Sequence, residues 1–203
     1  MGKKIEVILF DLGGVLVELS GVAIMLDWLE EAMTIETLWQ RWLTSPSVRL
    51  FETGRLQQRE FAERLIEEMS LPVKPDEFIE EFTWWPRGLF PGALELINSI
   101  PAGYTLAVLS NSNVIHWPRM MEELGLAGRF EYFFASHLIG KIKPDVEIYE
   151  HVLEDLGCDP DAVLYIDDNR PNIDTARSLG IQAEEAKGID AVQRVLRERG
   201  III

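Results

Sequence analysis

The stretch Val7-Ile8-Leu9-Phe10-Asp11-Leu12-Gly13-Gly14-Val15-Leu16 constrains this chain more than any other. Four apolar residues without polar alternation read as a strand covered on both faces, the habit of a parallel sheet. The run stops on one carboxylate. Two glycines follow, as in a tight turn whose backbone comes close to something. In open α/β sheets ligands bind beyond the carboxyl ends of the strands. Asp11 therefore stands either at a reactive edge or as a capping residue before a turn, and this stretch alone leaves both readings open.

After Leu16 the pattern changes. From Val22 to about Phe82 helix signals dominate and no convincing strand is found. Val22, Met25, Leu26 and Leu29 fall at helical spacing, as do Ile35, Leu38, Trp39 and Trp42, and then Phe61, Leu65, Ile66 and Met69. Ser45-Pro46 has the form of an N-cap with proline in the first helical position, and Gly54 that of a stop. Pro75-Asp76-Glu77 opens a helix through Phe78, Ile79 and Phe82. These signals predict four helices in an all-helical module at 18–88, inserted into an α/β core at 1–17 and 89–203, with the module's Trp, Met and Phe side chains in a core of its own. Trp84-Trp85-Pro86-Arg87-Gly88 reads as the return linker, with one tryptophan facing out toward a pocket mouth.

From Phe90 strand and helix alternate. Strands are expected at 104–109, 132–135 and 162–166 and from Ile181. Helices are expected at 93–99, 117–124, 144–156 and 171–179, with a last one ending near Arg199. That alternation predicts a doubly wound parallel sheet. A net charge of −15 argues against nucleic acid or an anionic membrane as partner, because both call for a basic face. It also requires any anion site to carry its own local positive charge. The one cysteine, Cys158, sits in the turn sequence Gly-Cys-Asp-Pro and cannot staple the fold, which fits a reducing, cytoplasmic setting. The opening residues carry lysines but no long apolar run behind them, so they read as a strand entry and not as a signal peptide. No apolar run approaches the ~18 residues of a membrane span.

Three predicted strands end in polar residues: Asp11, Ser110 and Asp167-Asp168. In a parallel sheet these ends share one edge. Converging carboxylates repel, which favours a bound cation, and all-oxygen ligation suits Mg²⁺. His116, His137 and His151 lack the spacing of a zinc site. Ser110-Asn111-Ser112-Asn113, ahead of a helix, offers either a phosphate cradle or a cluster of N-caps. Lys143, just before Pro144, is either an anion partner or a solvated lysine.

In order, Phe10-Asp11-Leu12-Gly13-Gly14-Val15-Leu16, Leu109-Ser110-Asn111, Lys143-Pro144 and Ile166-Asp167-Asp168-Asn169-Arg170-Pro171-Asn172-Ile173-Asp174 resemble the four motifs of the haloacid dehalogenase-like hydrolases. The helical insert resembles the C1 cap of that superfamily, and the resemblance spans essentially the whole chain. Phe51-Glu52-Thr53-Gly54-Arg55 and the Asp-Asp-Asn ending also look like the branch containing a bacterial glucose-1-phosphate phosphatase.

The resemblance implies Asp11 as a nucleophile that forms an aspartyl-phosphate. It implies Mg²⁺ held by Asp11, Asp168 and the backbone carbonyl of Gly13, with Asp167 a ligand through water or a support. Ser110 and the amide of Asn111 would hold phosphate oxygens. Lys143 would neutralise Asp11 and the transferring group. Asn172 stands where many relatives carry an acid, and Asp174 is expected on a helix surface.

One departure matters. Phosphatases of this superfamily usually carry a second Asp at the position of Gly13, which protonates the leaving oxygen and later activates water. Such help is typically worth ~10²–10⁴-fold. The leading expectation is a Mg²⁺-dependent phosphatase of a small phosphorylated metabolite, such as a sugar phosphate, whose leaving group needs little protonation. Two alternatives stay open. One is a dehalogenase in which Asp11 attacks carbon and Arg55 or Arg87 holds a carboxylate. The other is a phospho-ligand-binding protein without turnover. Glu52, Arg55, Trp84, Trp85 and Arg87 cannot be ranked as substrate contacts from sequence. The oligomeric state stays open between monomer and homodimer.

Overall fold

The computed structural model describes residues 4–29 and 33–203. The lysine-bearing opening lies partly outside them. In chain order come β1 (Val7–Phe10), β2 (Val17–Leu19), α1 (Gly21–Trp28), α2 (Ile35–Thr44), α3 (Pro46–Glu52), α4 (Gln58–Met69), α5 (Pro75–Thr83), β3 (Pro86–Leu89), α6 (Ala93–Ser99) and β4 (Thr105–Ser110). There follow α7 (His116–Pro118), continued by a π-helical turn (Arg119–Glu123), then β5 (Tyr132–Ala135), α8 (Ser136–Ile139), α9 (Val146–Leu156), a 3₁₀ turn (Pro160–Ala162), β6 (Val163–Asp167), α10 (Arg170–Ser178), β7 (Gln182–Glu185) and α11 (Gly188–Glu198).

Five strands form one parallel sheet in the order β5-β4-β1-β6-β7. β1 is central, and its side chains alternate between two separate cores. Ile8 and Phe10 join α6, Met120 and α11 on one face, while Val7 and Leu9 join α9 and α10 on the other. Apolar residues at every position of β1 are the price of cover on both faces. The doubly wound parallel sheet expected from the alternation is thus present.

The helical segment builds a third core around Phe51, Phe61, Phe78, Phe82, Trp42 and Trp85. Phe51 and Phe61 stack with ring centroids 4.1 Å apart. Most of the aromatic side chains therefore serve packing, while Trp39 is exposed and Trp84 faces out beneath Arg119, whose guanidinium lies 4.5 Å from its ring. Five helices occupy Gly21–Thr83 among the described residues, where four were expected. Ser45 is the N-cap that the Ser45-Pro46 pair announces: its extended backbone (φ −66, ψ 122) separates α2 from α3, and its hydroxyl accepts from Val48 N–H at 3.1 Å.

The expected return linker is also different. Pro86–Leu89 is a strand, paired antiparallel with Val17–Leu19 at the root of the helical segment. Among the described residues no helix is long and apolar enough to cross a membrane.

Candidate active site

Asp11 follows β1, Ser110 ends β4, and Asp167 ends β6 with Asp168 next to it. The parallel register puts all of them at one sheet edge. Asp11, Asp167 and Asp168 each present an oxygen there, all within 4.8 Å of one another. Lys143 arrives from the loop before α9 and is buried among them. Its Nζ lies 3.0 Å from Asp11 Oδ1 and 2.7 Å from Asp167 Oδ2, and donates to Leu109 O at 3.0 Å. Burial alone would lower the Lys143 pKa, but Asp11 and Asp167 outweigh it and hold the ammonium charged.

The three carboxyls occupy different environments. Asp167 is fully buried and saturated. Its Oδ1 accepts from Asn169 N–H at 2.7 Å, its Oδ2 accepts from Lys143 and the Tyr165 hydroxyl, and Asn172 Nδ2 donates to both oxygens at 3.1 and 3.0 Å. Burial pushes the Asp167 carboxyl up, but Lys143 and these donors outweigh it and hold it below the usual range. Asn172, where relatives often carry an acid, thus orients Asp167 as a donor. Asp11 is pushed up to about 7 by burial, with Asp167 and Asp168 adding to the rise and Lys143 opposing it. Burial and Asp167 likewise push Asp168 up to about 6. Two carboxyls raised beside a third that stays ionised describe a site short of positive charge.

The turn after Asp11 explains its glycines. Leu12 N–H donates to Asp11 Oδ1 at 2.7 Å, and Leu12 O takes the amides of Val15, Leu16 and Val17. Gly14 has φ +74, and a Cβ there would sit 2.1 Å from Asp168 Oδ2. Glycine is what lets the turn and the Asp168 carboxylate share that space. The Gly13 carbonyl accepts none of the turn's hydrogen bonds. Oxygen donors from Asp11, Asp168 and that carbonyl suit a hard divalent cation such as Mg²⁺.

The Ser110–Asn113 run divides its work. Ser110 is buried at the edge, with one long hydroxyl bond to Asn111 O at 3.3 Å. The Asn111 side chain faces Lys143, not the edge: Nδ2 donates to Lys143 O at 3.0 Å and Oδ1 accepts Lys143 N–H at 2.9 Å. The Ser112 backbone is paired with the Ser136 hydroxyl through both its N–H and its carbonyl, and Asn113 Oδ1 caps the amides of Ile115 and His116 at 3.0 Å. So most of the run caps and braces. Asp174 pairs with Arg170 on the α10 surface, as expected.

Sequence reasoning missed the placement of Glu52. Although it sits at the end of α3 in the helical segment, burial raises its pKa and it also feels the charges of Lys143 and Asp11. Arg55 instead lines a cleft of about 270 Å³ between α3 and the loop from Gly140 to Asp145. Arg87 is exposed on β3.

A family model for haloacid dehalogenase-like hydrolases matches residues 5–180. Sesquiterpene phosphatase astK of Aspergillus oryzae is 26% identical over 85% of this chain and 85% of its own length. D-ribitol-5-phosphate phosphatase of Bacteroides thetaiotaomicron is 23% identical over 88% of this chain and 90% of its own. With drimenol cyclase drtB of Aspergillus calidoustus the likeness reaches 37%, but over 33% of this chain and only 13% of that protein. Among solved structures, the HAD family enzyme bt-2542 of Bacteroides thetaiotaomicron in complex with magnesium and inorganic phosphate matches with a TM-score of 0.72 at 25% identity, covering 90% of this chain and 94% of that one. A family match across most of the chain, on a sheet whose central strand delivers Asp11 to the shared edge, has one meaning: the chain belongs to the haloacid dehalogenase-like hydrolases.

Proposed function

We propose that this chain is a Mg²⁺-dependent phosphatase that acts on a small phosphorylated metabolite through an aspartyl-phosphate on Asp11. The observation that carries the reading is the Asp11–Lys143 pair, 3.0 Å apart at the strand edge where the carboxyls converge. Asp11 Oδ1 is engaged by Lys143 and by Leu12 N–H, which fixes the carboxylate plane. Oδ2 has no such partner among the described residues and is the oxygen left to attack phosphorus. Lys143 holds Asp11 and meets the phosphoryl charge. Asn111 sets the Lys143 backbone, and Asp167, locked by Asn172 and Tyr165, sets its ammonium. The Ser110 hydroxyl is free enough to turn to a phosphate oxygen. When bound by Asp11, Asp168 and the Gly13 carbonyl, Mg²⁺ supplies the positive charge that phosphoryl oxygens demand.

The helical segment acts as a cap that selects the substrate, hinged where β2 and β3 pair. Relatives named as phosphatases over most of their length support ester hydrolysis over dehalogenation. A panel of sugar, polyol and aryl phosphates, with Mg²⁺ or with a chelator, is the test. Mg²⁺-dependent phosphate release that Asp11→Asn abolishes is expected. Halide release from 2-haloacids without metal, and no phosphate from any ester, would overturn the reading.

A further inference from the structure

A phosphate ester with a poor leaving group needs a proton on the departing oxygen. Gly13 has no side chain to give one. Asp167 has every lone pair it can spend committed to Lys143, Tyr165, Asn169 and Asn172. Asp168 packs against the Gly14 backbone, among the oxygens suited to a cation. One further carboxyl shares the field of Lys143 and Asp11, and it belongs to α3 of the helical segment.

That group is Glu52, the last residue of α3. The end of α3 is pinned over the Lys143 loop from two directions. Arg49, one turn earlier, pairs with Asp145, two residues past Lys143. At Gly54 (φ +71) the chain runs so close to α8 that a Cβ would lie 2.6 Å from the His137 carbonyl. The neighbours of Glu52 are spoken for: Phe51 is stacked into the aromatic core, and the Thr53 hydroxyl donates to Arg49 O at 2.7 Å. Glu52 is half-buried between them and makes no hydrogen bond or ion pair among the described residues. A carboxyl that feels Lys143 and Asp11 and has no partner among the described residues is available for substrate.

We propose that Glu52 is the proton donor to the leaving oxygen, replacing across the cleft the carboxyl that position 13 lacks. The proposal rests on the phosphatase reading above. Asp11 Oδ2 bonds to phosphorus, the bond from phosphorus to the ester oxygen breaks, and the Glu52 proton passes to that oxygen to release an alcohol. Glu52 is then a carboxylate. It takes a proton from the water that attacks the aspartyl-phosphate, so inorganic phosphate leaves and Glu52 regains its starting form. Protonation before the first step is consistent with the surroundings: burial pushes the Glu52 carboxyl up to about 8, with Lys143 opposing and Asp11 adding. Since the donor lies on α3 and the nucleophile on β1, hydrolysis of unactivated esters requires the helical segment to be closed.

The experiment compares Glu52→Gln with the unaltered chain, both loaded with Mg²⁺, on two esters: a sugar phosphate, whose alcohol leaves poorly, and p-nitrophenyl phosphate, whose phenolate leaves unaided. The expected result is a kcat loss of about 10²-fold or more on the sugar phosphate and a change of only a few-fold on the aryl ester. The alkaline limb of the kcat–pH profile should vanish in the variant. Gly13→Asp added to Glu52→Gln should restore turnover of the sugar phosphate, since the only atom a Cβ at Gly13 would crowd is Leu19 Cδ1, at 2.7 Å on an exposed side chain. Equal losses on both esters, or a loss confined to KM, would overturn the proposal and leave the phosphatase reading standing. No phosphate from either ester with the unaltered chain would overturn both. Melting curves of each variant separate these outcomes from misfolding.

Discussion

Asn111 grips Lys143 by its backbone, donating from Nδ2 to the carbonyl at 3.0 Å and accepting the amide on Oδ1 at 2.9 Å. A residue whose amide is expected to hold a phosphate oxygen thus also clamps Lys143 through its side chain. Asn111→Ala leaves both Lys143 backbone groups without this partner, at a cost of about 1–3 kcal/mol in urea unfolding. Turnover should fall by about 10²-fold as the ammonium drifts from Asp11. Asn111→Asp should fare no better, because its second oxygen would face the Lys143 carbonyl.

Asp11 is held where its own charge is unwelcome. It is buried beside Asp167 and Asp168, and Lys143 retains Asp167 and the Leu109 carbonyl if Asp11 is neutralised. Asp11→Asn should therefore abolish phosphate release and raise the melting temperature of the metal-free protein by about 2–4 °C, equivalent to ~1 kcal/mol for a chain of this size. Scanning calorimetry in the presence of a chelator decides. A fall of several degrees would mean that the Asp11–Lys143 pair is a net stabiliser.

Mg²⁺ should stabilise the fold by mass action, because the oxygen cluster exists only when β1 and β6 are adjacent. At 100 times its Kd the gain is about 2.7 kcal/mol. The melting temperature should rise with Mg²⁺ and return on chelation. Asp168→Asn should lose most of that shift even where no substrate is present.

His116 supplies a pH signature remote from the carboxyls. Its Nε2–H donates to Phe82 O at 2.7 Å, and its Nδ1 accepts from Asn113 Nδ2 at 3.2 Å. Burial lowers it from the usual 6.5 to about 4, against the Phe82 carbonyl. The unfolded chain takes up its proton near 6.5, so between about 6.5 and 4 the unfolded state binds more protons and stability falls as pH falls. Urea titrations from pH 7 to pH 4 should show a steeper loss for the unaltered chain than for His116→Gln. Parallel slopes would mean that His116 is not kept neutral.

The fold was legible where packing is two-sided and local. Val7–Phe10, Thr105–Ser110 and Val163–Asp167 are short apolar runs buried in the middle of the sheet, and they announce themselves by composition. β2 and β3 do not: three residues of Val-Glu-Leu hold too little periodicity, and Pro86 and Gly88 argue against a strand. The edge residues Asp11, Ser110, Lys143 and Asp167-Asp168 were legible because each carries a motif. The roles of Asn111, Tyr165 and Glu52 depend on which element lies opposite, and no local pattern encodes that. Glu52 and Glu60 look alike in sequence, yet one lies in the field of Lys143 and the other pairs with Arg64 on an exposed helix face.

The aromatic core of α1–α5 and the two cores of the sheet share no buried residue. Across the seam run Arg49 to Asp145, His116 to Phe82 O, and Arg119 to the carbonyls of Pro86 and Arg87, with Ile115 and the His116 ring packed against the aromatic core. The exposed Arg49–Asp145 pair can be exchanged for water at little cost, whereas a shared apolar core cannot. Selection can therefore redraw the helical half to suit a new leaving group without disturbing the edge that performs the phosphoryl chemistry. The proposed donor sits on that redrawable half, so a lineage that remodels α3 must either keep the Glu52 carboxyl or restore one beside Asp11.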